Sequence, residues 1–167
     1  MRSLVFAALF ALAACGQPPT PVTAPSASSA PSAQSERDHE ATEEAAEMQT
    51  RIAGLPAPYN EASYEAGRRV FAQCRACHTI EAGGGNRVGP NLHAVFGREI
   101  GTAPGFAYSQ AAQDADFTWD GAHLEQWLAN PQTFLAGNRM AFAGIRDETQ
   151  RRDLIAYLML ESTPGED

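Results

Sequence analysis

The chain has 167 residues, with twelve arginines, no lysine and twenty aspartate or glutamate side chains, which give a formal net charge of −8. This balance disfavours nucleic-acid binding, because a surface that neutralises phosphates has to be basic. Net charge otherwise bears on solubility and on encounter with partners, and it leaves the fold open.

The N-terminus has the pattern of an exported protein. Arg2 precedes an apolar run over residues 4–13, which is too short to span a bilayer, so residues 1–14 are predicted to be a signal peptide. Leu12-Ala13-Ala14-Cys15 resembles a bacterial lipobox, in which cleavage before the cysteine leaves that residue to be lipidated. The alternative is an ordinary signal peptide with an incidental cysteine. We favour the lipoprotein type, because Cys15 stands where cleavage must occur, and we predict a bacterial periplasmic protein held to the membrane by acyl chains on Cys15.

Residues 15–57 are predicted to be a spacer between this anchor and a folded domain. Residues 17–35 are mostly Pro, Ala, Ser and Thr without any charge, so they cannot bury a core. Residues 36–53 are acidic and rich in alanine, with Ala41, Ala45, Met48 and Ile52 at helical spacing. They form either a solvated helix or a disordered segment, and we favour a helix with Ser35 as its N-cap, ended by Gly54 and Pro56.

Residues 58–167 are predicted to form one all-α domain, because no run in them alternates like a strand. Three main helices are expected, with short helices and loops between them. The first runs through Ala72, the second over residues 121–129, and the third from its cap at Asp147 to a point before Pro164. Each follows a residue of a type that caps helices. These caps are Ser63 or Asn60, then Asp120, and then Asp147 with Gln150 three residues on.

The most informative motif follows the first of these helices, in the string Cys74-Arg75-Ala76-Cys77-His78. Two thiols one helical turn apart, followed at once by a histidine, indicate covalent attachment of a c-type haem with His78 on the iron. A zinc site would need a second pair of ligands, and the only other cysteine is Cys15. A thioredoxin-like dithiol would need alternating strands and helices, which do not surround Cys74.

The second axial ligand separates an electron carrier from an enzyme, because an open iron would bind gases or peroxides. The candidates outside the motif are His39, His93, His123, Met140 and Met159. His39 lies in the acidic spacer, and Met159 lies on the apolar stripe of the last helix and is interpreted as a core residue. Met140 lies in a long irregular segment over residues 130–142. The residues alone leave this choice open.

The domain as a whole resembles class I cytochromes c, the small mitochondrial-type proteins and their bacterial relatives. The landmarks, in order, are Gly67 to Phe71, the Cys74 to Thr79 segment, Gly89 to Leu92, Phe96 to Arg98, Gly105-Phe106, Tyr108-Ser109, Trp119, Asn130-Pro131, the Met140 loop and Arg152 to Leu158. The resemblance covers the domain and none of the first 55 or so residues. It implies the cytochrome c fold, wrapped around one covalent haem c.

The resemblance also implies roles for individual residues. His78 and Met140 would be the axial ligands, and the Pro90 carbonyl would accept the His78 ring N–H. The haem propionates would lie near Arg98, Tyr108 and Trp119, whose charge and hydrogen bonds would balance the buried carboxylates. Gly67 and Phe71 would meet Leu154 and Tyr157 where the first and last helices cross.

Two departures from the family pattern concern the Met140 loop. Ala136-Gly137-Asn138-Arg139 stands where the family usually has Pro-Gly-Thr-Lys, and Asn138 can still hydrogen-bond a propionate. Trp127 stands where many relatives have a tyrosine whose hydroxyl reaches the methionine sulfur.

These observations predict a membrane-tethered single-electron carrier, not an enzyme, that works between respiratory-chain complexes, from a quinol-oxidising complex to a terminal oxidase or a similar acceptor. The alternatives are a haem peroxidase or gas-binding protein, if the Met140 ligand is labile, and an electron-entry module of a larger redox enzyme. The expected partners are redox proteins and the expected state is a monomer. The domain has nine arginines against fourteen acidic residues, although Arg75, Arg87 and Arg139 can form a local basic patch.

Overall fold

A computed structural model describes residues 33–163, so the signal peptide, Cys15 and the first part of the spacer lie outside the described residues. The described part is helical, as predicted, and contains no strand beyond one isolated antiparallel bridge between Glu99 and Thr118. Its α-helices are α1 (Ala33–Ala53), α2 (Tyr64–Phe71), α3 (Gln110–Asp114), α4 (Gly121–Ala129), α5 (Pro131–Phe134) and α6 (Glu148–Glu161). None of these is long and apolar enough to cross a membrane.

The crossing of α2 and α6 forms the centre of the core. Gly67 allows the close approach, since a Cβ there would overlap the Asp153 carbonyl oxygen and lie 2.7 Å from the Tyr157 Cβ. The rings of Phe71 and Tyr157 pack with their centroids 5.2 Å apart. Phe71 and Leu154 are fully buried. The contact between the first and last helices of the domain, which the resemblance implied, is thereby confirmed.

The predicted caps explain where the main helices begin. Ser63 accepts the Ala66 N–H at the start of α2, Asp120 accepts the His123 N–H at α4, and Asp147 accepts the Gln150 N–H at α6. Each side chain satisfies a backbone donor that has no partner within its helix. The three main helices of the domain therefore start where the sequence predicted.

Helix α1 covers the segment predicted as a helix over residues 36–53, although it begins at Ala33, so Ser35 lies inside the helix rather than at its cap. Its last turns pack on the domain, where Ile52 is fully buried. The Gln49 side chain donates to the Ala62 carbonyl (2.9 Å) and accepts from the Tyr64 N–H (2.8 Å). Packing thus begins near Met48, before the boundary at residue 58 that composition suggested.

Short helices were predicted between the main ones without positions, and the structure shows two of them, α3 and α5. Ser109 accepts the Ala112 N–H (3.3 Å) at α3, and Asn130 accepts the Thr133 N–H (3.1 Å) at α5. Helix α5 lies in the segment expected to be irregular, and Pro131 occupies its first turn, where the missing N–H costs nothing. The beginning of the Met140 loop is therefore ordered.

Candidate functional site

A cavity of about 550 Å³ lies beside the crossing of α2 and α6. This volume is in the range of small-molecule and cofactor sites. The cavity brings together the motif after α2, the loop after α5 and the inner faces of α4 and α6. Its apolar walls are formed by Leu92, Val95, Ile100, Leu124, Leu128, Leu135, Leu154 and Leu158, with Phe71, Phe106, Phe142, Trp119 and Trp127.

The Cys74 to His78 motif lies at the edge of this cavity in a tightly wound segment. The Cys77 and His78 N–H groups both donate to the Cys74 carbonyl, at 3.0 and 2.9 Å. This winding turns both thiols and the imidazole to the same cavity. Burial, with a contribution from the neighbouring Cys77, raises the pKa of the Cys74 thiol to about 11. The two sulfur atoms are unpaired and available for thioether bonds.

His78 is held by the backbone of residues 89 and 90. Its Nδ1 lies 2.7 Å from the Pro90 carbonyl oxygen, the contact that the resemblance implied. Burial lowers the pKa of the imidazole, and the Pro90 contact opposes this in part. A neutral ring that donates Nδ1–H to Pro90 keeps the lone pair of Nε2 for a metal. A Cβ on Gly89 would lie 2.7 Å from both ring nitrogens, so the ring rests against a bare backbone.

Met140 borders the same cavity, and the other four candidate ligands in the described residues do not. His39 is exposed on α1 beside Glu43 (3.4 Å), and His123 stacks on Phe117 with ring centroids 4.6 Å apart. Met159 packs against the core, as predicted. The backbone carbonyl of His93 accepts a hydrogen bond from Arg98 (3.1 Å).

Arg98 and Tyr108 border the cavity as expected for groups that face the haem carboxylates. The Arg98 guanidinium donates to the carbonyls of His93 (3.1 Å) and Asn91 (3.0 Å), and within residues 33–163 no carboxylate pairs with it. Burial lowers the pKa of Arg98 and raises that of the Tyr108 phenol. A half-buried cation without a carboxylate partner beside an apolar slot fits a flat ligand that carries acidic groups.

Asn138 has a different role from the one predicted. Its side-chain amide donates to the Pro131 and Leu135 carbonyls, both at 2.8 Å, and its Oδ1 accepts the Met140 N–H at 2.8 Å. Both amide hydrogens are thus used inside the loop, so none remains for a propionate. Sequence analysis also missed Gln132, which donates to the Met140 carbonyl at 3.0 Å. The sequence signal for Gln132 is the preceding Asn130-Pro131 pair, which caps and begins α5, the helix that contains Gln132.

The two tryptophans lie against each other at the cavity wall. Trp119 and Trp127 pack edge to face with their centroids 5.5 Å apart, and Phe134 continues the cluster 6.0 Å from Trp127. Trp119 also has backbone bonds with Gly97 (2.8 Å) and Arg98 (2.9 Å). Both indoles therefore serve as core aromatics and as cavity walls.

One edge of the cavity combines an exposed apolar side chain with an exposed arginine. Val88 borders the cavity and is 80% exposed. Arg139 lies at the same rim and donates to the Ala107 carbonyl. Arg87 donates to the Arg75 carbonyl (2.8 Å). The basic groups that were predicted to form a patch are all exposed.

Comparison with known proteins agrees with this site. The family model for cytochrome c matches residues 64–160, more than half of the chain. Cytochrome c of Kluyveromyces lactis is 42% identical over 106 residues, which cover 63% of this chain and 96% of that protein. Cytochrome c2 of Blastochloris viridis is 40% identical over 114 residues, 68% of this chain and 90% of that protein. The solved structure of cytochrome cH from Methylobacterium extorquens superposes with a TM-score of 0.54 at 44% identity, covering 58% of this chain and 97% of that one.

Proposed function

The chain belongs to the cytochrome c family, so it carries covalently bound haem c and transfers electrons rather than catalysing a reaction, and we propose that His78 and Met140 are the axial ligands of its iron. The observation that carries this proposal is that Met140, alone among the candidate ligands in residues 33–163, borders the cavity together with His78. Cys74 and Cys77 would form the two thioether bonds. Ligation by histidine and methionine raises the reduction potential of a haem.

Each part of the site would have a defined task in electron transfer. The bound haem supplies a reversible one-electron change at its iron. Pro90 accepts the Nδ1–H of His78 and so keeps the ring correctly turned, while burial favours its neutral form. Arg98 would offset the negative charge of the haem propionates. The apolar walls limit the access of water, which also favours a high potential. Two protein ligands leave no position for a substrate.

The ligand assignment is tested by the optical spectrum of the ferric protein. We expect a low-spin spectrum with the near-infrared sulfur-to-iron charge-transfer band, and Met140→Ala should abolish that band. Met159→Ala is the matched control, because Met159 packs against the core outside the cavity and its loss should leave the band in place. A high-spin wild-type spectrum, or rapid carbon monoxide binding at neutral pH, would contradict the assignment and favour a gas-binding or peroxidase function.

We propose further that the chain is a bacterial periplasmic lipoprotein anchored through Cys15. The support is the lipobox-like sequence before Cys15 and the short apolar run that precedes it. Labelling of cells with radioactive palmitate should mark the wild type and not Cys15→Ser, and only the wild type should stay with the membrane fraction. Equal labelling of both proteins, or a wild type free of membranes, would contradict the anchor.

For its partners, we propose a quinol-oxidising complex as electron donor and a terminal oxidase or similar complex as acceptor. The high potential expected of His/Met ligation supports this position in a respiratory chain. Val88 is exposed, follows Arg87 in the chain and borders the cavity as Arg139 does, so this part of the surface is suited to brief docking near the haem. Purification in mild detergent should recover one of these complexes with the chain, and quinol-fed membranes should reduce the ferric protein. Failure of both would contradict these partners.

A further inference from the structure

The backbone of Met140 is held on both sides by side-chain amides. Asn138 Oδ1 accepts the Met140 N–H at 2.8 Å, and Gln132 Nε2 donates to the Met140 carbonyl at 3.0 Å. Gln132 Nε2 also lies 3.3 Å from Asn138 Oδ1, so the two amides contact each other. Both polar groups of this residue's backbone are therefore bonded to side chains of its own loop.

The amides are themselves fixed to α5. Asn138 donates to the carbonyls of Pro131 and Leu135, one at each end of that helix. Gln132 is a residue of α5, whose start is set by the Asn130 cap and by Pro131. The position of Met140 is thus tied to a short ordered element rather than to a free loop.

The intervening segment needs such support. Ala136 and Gly137 are both exposed, and Gly137 has a positive φ of 86°. Glycine has the largest conformational freedom in the unfolded chain, and no proline restricts residues 132–140. Backbone hydrogen bonds run from the Asn138 N–H to the Leu135 carbonyl (3.1 Å) and from the Phe142 N–H to the Met140 carbonyl (3.0 Å), and the two side-chain amides add to this support.

We propose that Gln132 and Asn138 are positioning residues that form an amide clamp and keep Met140 in place as the axial ligand. This inference rests on the proposed His/Met ligation. The clamp acts on the equilibrium between a closed loop with Met140 on the iron and an open loop that exposes the iron to other ligands. Breaking one hydrogen bond of the clamp shifts this equilibrium toward the open loop.

The test is competition by added imidazole at the ferric holoprotein, followed by loss of the near-infrared band. Because imidazole binds only the open loop, its apparent affinity is proportional to the open fraction. Gln132→Met removes one donor at similar length and should raise the apparent affinity about two- to fivefold. Asn138→Ala removes the bonds to Met140, Pro131 and Leu135 and should raise it about tenfold or more.

Gln126→Met is the matched control. Gln126 is an exposed glutamine on α4 whose side chain donates a hydrogen bond within its own helix, to the Ala122 carbonyl at 3.3 Å. Its substitution should leave imidazole binding unchanged. The double variant Gln132→Met/Asn138→Ala should shift less than the sum of the two logarithmic effects, because the two amides contact each other.

Two results would overturn the clamp. One is imidazole binding by Gln132→Met and Asn138→Ala equal to that of Gln126→Met. The other is a loss of global stability in denaturant without any change in imidazole affinity, which would make both residues merely structural. Since Gln132 is exposed, its variant should fold even if Asn138→Ala does not. Failure of the ligand assignment would look different, because the wild type itself would then lack the band.

Discussion

The backbone of residues 89 and 90 contacts the His78 ring on two sides. These contacts, together with the short motif, determine the orientation of the imidazole. The Gly89 N–H donates to the Cys77 carbonyl at 2.8 Å, which brings the loop before Pro90 against the motif. The Pro90 carbonyl then accepts from the ring, and the bare Gly89 backbone forms the surface on which the ring lies. A side chain at residue 89 would occupy the volume of the imidazole.

Gly89→Ala should therefore disturb the haem site without touching haem directly. The added Cβ would lie within 2.7 Å of His78 Nδ1 and Nε2, so the ring or the loop must move. We expect a loss of about 1–3 kcal/mol in the free energy of unfolding of the holoprotein, the usual cost of overpacking. The yield of protein with covalently attached haem should also fall.

Gly85→Ala is the control for this prediction. A Cβ at Gly85 has no heavy atom within 4 Å and its backbone has no positive φ, so an alanine fits there. Denaturant unfolding of both variants against the wild type measures the difference. Equal stability of the two variants would show that the ring does not depend on Gly89.

At the scale of elements, α1 packs its last turns on the domain. Its inner face presents Ala45, Met48 and Ile52, and this face ends in the core cluster that also contains Tyr64 and Tyr157. The Gln49 amide binds both neighbours of Ser63, the cap of α2. The last turns of α1 thus support the start of α2, which leads directly into the haem-binding motif.

Ile52→Ala should destabilise the holoprotein by about 2–4 kcal/mol, because the side chain is fully buried and its loss leaves a cavity. Thr50→Ala is the control, since Thr50 is exposed and its hydroxyl bonds only within α1, to the Ala46 carbonyl. The midpoint and slope of denaturant unfolding give both values. If Ile52→Ala behaved like Thr50→Ala, α1 would not be part of the folded unit.

The elements also show how far sequence reasoning reaches. The caps of α2, α4 and α6 act within one helical turn, so the sequence locates these helices well. The packing of Ile52 depends on residues far along the chain, and a composition boundary cannot reveal it. Likewise, an asparagine can donate a hydrogen bond to a propionate, so its residue type alone permits that role. The fold of the loop instead places the Asn138 side chain against the backbone of Pro131, Leu135 and Met140.

At the scale of the whole molecule, the cavity interrupts the core. Its walls come from α2, α4, α6 and the loops between them. Helix α6 contacts α2 and α4 directly, and all three helices also border the cavity. Without haem these apolar walls would be exposed to water, and the elements around the cavity would lose the apolar contacts that haem supplies between them.

The chain without haem should therefore be largely unfolded. In Cys74→Ala/Cys77→Ala, which cannot form the thioethers, we expect far-ultraviolet circular dichroism to show loss of most of the helical signal and no cooperative melting. The signal of α1 should fall as well, because its last turns pack on the same core. Cys15→Ala is the control, because Cys15 precedes the predicted domain. With haem attached, this variant should have the far-ultraviolet circular dichroism spectrum of the wild type. If the double variant without haem were fully helical and melted cooperatively, the prediction would be wrong. Contacts between helices, such as that of Gly67 with Tyr157, would then suffice to stabilise the fold without haem.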